Sequence, residues 1–304
     1  MYYLIGGDQI IYNIKDLVSG DVKESLDLRR LKGLLNDCLT EFQNQNLVSC
    51  GWNTELVNSD VIEKRLLSNF IEPLVEGDIL EAITLEMVEE TIKKRNVDKI
   101  ERDIKKVRDT LSRIKVQNRF LHDIINLTVN RIFFAEVENN LGGSTERALG
   151  IIWMNLPKKV GTQSIEEFIV HELTHQITFY DHLSDPFFPA NIYDLPKAYA
   201  ISSIRKAKRP IPLVLDSLLV TCEILDHRKF NGYKSSASAF HPSNAEMIRN
   251  AIITLNDLSK PSFLKNYFLP RGRMIINLAR LKIQSHYEAL SNHQKQNFPV
   301  LNSK

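Results

Sequence analysis

Apolar positions recur along this chain at helical intervals far more often than at the strand interval of two. Ile100, Ile104, Val107, Leu111 and Ile114 follow one another at steps of 4, 3, 4 and 3, with charged residues between them. That spacing predicts a charged helix with one apolar stripe. It spans two heptads, few for a coiled-coil dimer, so it reads as a bundle helix packed on a neighbour. Leu26, Leu28, Leu31, Leu34, Leu35 and Leu39 predict another helix, and Ile79, Ile83, Leu85, Val88 and Ile92 a third within Asp78 to Lys94. Residues 20–135 therefore read as helical almost throughout.

Near residue 140 the texture changes. Asn139-Asn-Leu-Gly-Gly-Ser-Thr145 is turn chemistry, since Asn and Gly tolerate positive φ. Ala148 to Leu156 is a short run rich in β-branched and aromatic residues, closed by Pro157, and predicts a strand. Ser164 and Glu167 have the spacing of a capping box, predicting a helix from about Ile165 to Asp181. Further helices are expected from just after Pro212 to about Lys229, from Asn244 to Leu258 behind a second capping box (Ser243, Glu246), and from Met274 to Leu290 after Gly272. The expected fold is mainly α with a small β element, a helical scaffold around one motif-bearing helix. Its regions are a helical N-terminal part (1–135), a core (136–260) and C-terminal helices with a polar tail (261–304), within one compact unit.

Composition narrows the class without naming a function. The chain has 304 residues, 43% hydrophobic and 25% charged, with 39 Lys+Arg against 37 Asp+Glu for a net charge of +2. It is too apolar and too balanced in charge to be disordered. It carries no basic surplus of the kind nucleic-acid proteins use. No run approaches the ~18 apolar residues of a membrane span. The N-terminus lacks the basic and apolar regions of a secretory signal, so a cytoplasmic protein is expected. Cys38, Cys50 and Cys222 are widely spaced and read as reduced, structural residues.

The candidate chemistry is concentrated in His171-Glu-Leu-Thr-His175. Two histidines four apart share a helix face, so their imidazoles can converge on one metal ion, with the intervening Glu172 beside it. The bland alternative is two solvated or core histidines. It is weakened because the motif falls inside a helix whose Ile165, Phe168, Ile169 and Leu173 supply a core face.

Such a metal needs at least one more protein ligand. Thr178 stands where a metzincin-type peptidase has its Gly, and Asp181 where it has its third His, so Asp181 is a lesser candidate. His182 lies about 16 Å along the helix from His171, at about 1.5 Å per residue, and reads as a helix-end histidine. Asp216, Glu223 and His227 lie at i, i+7 and i+11 on the next helix, opposite a stripe of Leu215, Leu218, Leu219, Cys222 and Leu225. Asp216 and Glu223 are the candidates for the third ligand, because carboxylates commonly complete such sites; a buried ion pair is the alternative. Gluzincin peptidases use a Glu on a downstream helix, which is the analogy behind Glu223.

Between the two helices lies Arg205-Lys-Ala-Lys-Arg209-Pro210. Arginine's planar fork suits a carboxylate, although a solvated basic turn has the same composition. A Gly/Ser turn, a short strand containing Gly150, H-E-x-x-H and then R-x-x-x-R-P make the stretch Gly142 to Phe230 resemble the HExxH-type, 2-oxoglutarate-dependent peptide β-hydroxylases, which modify ribosomally made peptides. The resemblance implies an Fe(II) enzyme whose iron is held by His171 and His175, with Arg205 or Arg209 binding the 2-oxoglutarate carboxylate. In that family a His commonly stands at the position of Asp216 and an aromatic at that of Ile204. With Asp216 as ligand the site becomes two histidines and a carboxylate, a set that suits non-haem Fe(II).

Three readings follow. One is an Fe(II)- and 2-oxoglutarate-dependent hydroxylase of a peptide or carrier-bound amino acid. Another is a zinc metallopeptidase with Glu172 as general base and Tyr180, Tyr193, Tyr199 or His227 at the oxyanion. The third is a non-catalytic helical binding protein with an accidental or structural metal site. The expected partner is the peptide or carrier-bound substrate, with no nucleic acid and no membrane.

Overall fold

A computed structural model describes residues 6–19, 27–42, 52–57, 96–136, 141–195, 197–233, 236–295 and 298–299. They fall into two compact units, one spanning residues 12–180 and the other residues up to 11 together with 181–304. The division runs through the HELTH helix, not at the expected region bounds of 135 and 260. The fold is mainly α with a small β element, as the sequence pattern predicts.

The unit of residues 12–180 is built on a four-stranded sheet. Helices α1 (Gly7–Ser19) and α2 (Leu28–Phe42) precede β1 (Glu55–Val57). Helices α3 (Val97–Gln117) and α4 (Arg119–Thr128) lead into β2 (Arg131–Phe134); β3 (Gly142–Gly143) and β4 (Ile151–Met154) follow. The order is β1-β2-β4-β3, with β1, β2 and β4 parallel and β3 antiparallel to β4. Ile132, Phe133 and Phe134 pair with Ile152, Trp153 and Met154, and all six are buried. Buried parallel strands read as continuous apolar runs without alternation, which explains why β2 carries no period-two signal, while β1 is only three residues long. Their presence corrects the expectation of helix throughout 20–135.

Ile100, Ile104, Val107 and Ile114 are buried on α3, which packs on α4 and β2. The stripe is thus the inner face of a bundle helix. Asn96 and Asn118 cap α3 and α4 by accepting the N–H groups of Lys99 and Leu121. Leu31, Leu35 and Leu39 form the buried face of α2. The stretch Asp78 to Lys94, together with Leu26 and Cys50, lies outside the described residues. Cys38 and Cys222 are free thiols, and burial pushes the Cys222 thiol up.

Helix α5 (Thr162–Ser184) carries the motif and passes from one unit to the other. It starts earlier than the capping box implies. The Ile165 N–H donates to the Gly161 carbonyl, so Ser164 is already inside the first turn and is not the cap. Glu167 accepts from Gln163 Nε2 instead.

In the other unit, β5 (Tyr199–Ile201) and β6 (Lys208–Pro210) form an antiparallel hairpin where only a basic turn was expected. Helices α6 (Ile211–Phe230), α7 (Asn244–Leu258), α8 (Pro261–Tyr267) and α9 (Pro270–Glu288) follow. The Ser243 cap on α7 is present, its hydroxyl accepting the Glu246 N–H. Gly272 lies within the first turn of α9, not before it, because Pro270 opens that helix. Helix α6 packs on α7, α9 and the hairpin and is buried nearly all round, so it has no single apolar stripe. On it, Asp226 receives Lys282 Nζ and His286 Nε2 from α9, each at 2.7 Å. Burial alone would raise the Asp226 carboxyl, but the hydrogen bonds and positive charge of these two partners together outweigh it and hold the group below its ordinary range. Among the described residues, no helix is long and apolar enough to cross a membrane.

Candidate metal centre

Helix α5 is fixed to the sheet by its own side chains. Gly150 adopts φ +80° at the entry to β4, a region glycine reaches without steric cost. Its N–H donates to Gln176 Oε1 at 2.7 Å, while Gln176 Nε2 donates to the Ile151 carbonyl at 3.2 Å. Tyr180, a turn further on, is buried and its hydroxyl donates to the Thr128 carbonyl at 3.2 Å. Its phenol is pushed well up by burial. These bonds fix the rotation of the helix about its axis and therefore the direction of the HELTH side chains.

One ligand atom each from His171, Glu172 and His175 lies within 4.8 Å of the others. The histidines are half-buried and Glu172 is buried. The imidazole centroids stand 4.8 Å apart at an interplanar angle of 64°. Phe168 stacks 6.5 Å from His171, and Phe179 stacks 6.4 Å from His175. Aromatic walls of this kind limit water and strengthen electrostatic interactions inside a site.

The donor set fits a metal. Donors at about 2.1 Å from one ion lie at most about 4.2 Å from each other. Around a tetrahedral ion such donors lie about 3.4 Å apart, so the three groups must close by up to about 1.4 Å to share one. Two imidazoles and a carboxylate suit both zinc and non-haem iron.

Glu172 is positioned by a residue the motif does not contain. Ser144, directly after β3, places its hydroxyl 2.8 Å from Glu172 Oε2 and 3.2 Å from the Glu172 carbonyl oxygen. In the sequence this serine was visible only as part of a Gly/Ser turn.

The remaining site candidates sit in the other unit. Asp216, Glu223 and His227 are on α6, with Glu223 and His227 buried and Asp216 half-buried. Arg209 is half-buried on β6, and Arg205 is exposed in the tight turn that precedes it, where Lys206 adopts φ 56°. Ser203 anchors the hairpin by donating to the Ser217 carbonyl on α6. Asp181 is committed elsewhere: both its oxygens accept from Arg271, at 2.7 and 2.9 Å, and both residues are buried. That ion pair removes it as a candidate ligand. His182 Nδ1 accepts the Phe187 N–H at 3.0 Å, a helix-end role as expected. Of the four residues considered for an oxyanion, Tyr180 is committed to Thr128, while Tyr193 and Tyr199 are exposed.

No protein-family model matches this chain, and no curated protein matches it.

Proposed function

We propose that the chain is a metal-dependent enzyme acting on a peptide or a carrier-bound amino acid, with His171 and His175 as ligands. The reading rests on one observation: two imidazoles and a buried carboxylate converge within 4.8 Å on one helix. The preferred activity is Fe(II)- and 2-oxoglutarate-dependent hydroxylation, supported by the resemblance of residues 142–230 to the HExxH peptide hydroxylases. Bound iron and 2-oxoglutarate supply the oxygen-activating chemistry that replaces a substrate C–H by C–OH. The chain's own part is division of labour. His171 and His175 would hold the metal, and Asp216 and Glu223 are the candidates the sequence offers for a further ligand. Arg205 or Arg209 is the candidate the sequence offers to pair with the carboxylate of 2-oxoglutarate. Glu172 holds or passes a proton beside the metal, and Phe168 and Phe179 keep water from the imidazoles.

A zinc metallopeptidase is the second reading. The observation that favours it is the Glu172 carboxylate, buried and held by Ser144 beside the imidazoles, which suits a general base for a metal-bound water. The test is reconstitution of anaerobically purified protein with Fe(II) or Zn(II), following conversion of 2-oxoglutarate to succinate with candidate peptides. Iron-dependent succinate is the expected result. Zinc-dependent peptide cleavage without it would replace the hydroxylase by the peptidase.

A further inference from the structure

We infer that Ser144 is a positioning residue for the HELTH centre, acting through Glu172. The inference rests on the metal-site reading above. It comes from an approach of two segments 28 residues apart, Ser144 behind β3 and Glu172 on α5.

Ser144 has a single hydroxyl hydrogen and two acceptors on Glu172. The carboxylate Oε2 at 2.8 Å takes it in preference to the backbone carbonyl oxygen at 3.2 Å, because a charged acceptor binds more strongly and at shorter range. The bond engages one carboxylate oxygen, and so restricts rotation of the carboxylate relative to the imidazoles on the adjoining turn. A site displaced by 1 Å loses much of its function.

The chain spends several features on delivering this hydroxyl. Gly142 and Gly143 pair with Met154 and Trp153, which ties the segment before Ser144 to the sheet. A Cβ at Gly142 would stand 2.3 Å from the Trp153 carbonyl oxygen and 2.5 Å from Phe168 Cζ, so only glycine allows this approach to α5. On the other side, Thr145 caps the short turn Glu146–Ala148, its hydroxyl accepting the Arg147 N–H. Ser144 is therefore held between a paired strand and a capped turn. Phe168, whose ring Gly142 meets, is the residue that stacks near His171. The same short segment thus touches both the carboxylate and the aromatic wall of the centre.

The test uses the full-length chain loaded with Co(II), whose visible spectrum reports coordination. Wild type, Ser144→Ala, Ser144→Thr, Glu172→Gln, the Ser144→Ala/Glu172→Gln double variant and His171→Ala are compared for Co(II) affinity, spectrum and Tm. Ser144→Ala should keep its Tm within a few degrees, weaken metal binding about 10- to 100-fold and shift the spectrum. Ser144→Thr, which keeps the hydroxyl, should restore both. The double variant should lose no more than Glu172→Gln alone, since the serine acts through that carboxylate. Wild-type affinity and spectrum in Ser144→Ala overturn the inference, as do additive losses in the double variant. His171→Ala tests the underlying reading separately: if it binds Co(II) as wild type does, the HELTH metal site falls, whatever the serine variants show.

Discussion

Gln176 accepts the backbone N–H of Gly150 at 2.7 Å, joining the residue after the second motif histidine to the entry of strand β4. The same amide donates to Ile151, so one side chain satisfies two backbone groups of a buried strand. Replacing it by leucine keeps the volume and leaves the Gly150 N–H without this acceptor. A buried donor stranded in this way costs about 1–3 kcal/mol. Gln176→Leu should therefore lower unfolding stability by that amount in a urea titration and weaken metal binding by letting α5 rotate. A variant with unchanged midpoint and unchanged affinity would show that the helix is held by apolar packing alone.

The proposal of Asp216 or Glu223 as a further ligand can be tested directly. Asp216 and Glu223 are two turns apart on one face, so an ion served by one of them is not served equally by the other. His171→Ala and His175→Ala should abolish stoichiometric metal binding. Of Asp216→Ala and Glu223→Ala, one should lower metal content well below one per chain and the other should leave it near wild type, as read by elemental analysis after dialysis. Full occupancy in both would remove the pair and leave Glu172 as the carboxylate of the centre.

Features encoded within one turn or one helix were legible before the fold was known. The stripe on α3 and the Ser243 cap depend on neighbours three or four residues away and stand as read, and the HELTH spacing does bring His171, Glu172 and His175 within 4.8 Å of one another. The misreading at Ser164 has a local cause too. A capping box is also a pattern an ordinary first turn can carry, and Gly161 starts α5 earlier. What stayed hidden depends on tertiary pairing. Strand β1 is three residues long with only Val57 buried, and β2 is four residues long with Ile132, Phe133 and Phe134 all buried in a parallel sheet, so they show neither alternation nor length. The β5–β6 hairpin turns through Arg205 and Lys206 without the Asn-Gly signal of a tight turn. The Ser144–Glu172 bond closes over 28 residues, and no spacing rule predicts a contact at that separation.

The Asp181–Arg271 pair gives a stability prediction that does not depend on any metal. Both side chains are buried, and the guanidinium meets both carboxylate oxygens. Arg271→Met takes the guanidinium from a buried carboxylate and should cost about 3–5 kcal/mol. Asp181→Leu combined with Arg271→Met removes both charges and should recover most of that loss. The check is the unfolding free energy of the three proteins. If the double variant is as unstable as Arg271→Met, the arginine contributes through packing and not through its charge.

Lys32 sets a pH dependence of known sign. Its ammonium is buried, donates to the carbonyls of Asn126 and Trp52, and lies 6.0 Å from the Trp52 ring centroid. Removal from water disfavours the charged form and lowers its pKa from 10.5 to about 8. The unfolded chain keeps this proton up to about 10.5, whereas the folded chain releases it near 8. Between those values the unfolded state binds more protons, so this residue makes stability rise with pH. Below about 8 both states are protonated and the penalty for burying the charge is constant. Lys32→Met removes the titration. The stability of wild type minus that of the variant should therefore be flat from pH 6 to about 7.5 and climb from about 8 towards 10. Denaturant unfolding at each pH measures it, and parallel curves for the two proteins across that range would show that the folded lysine keeps an ordinary pKa.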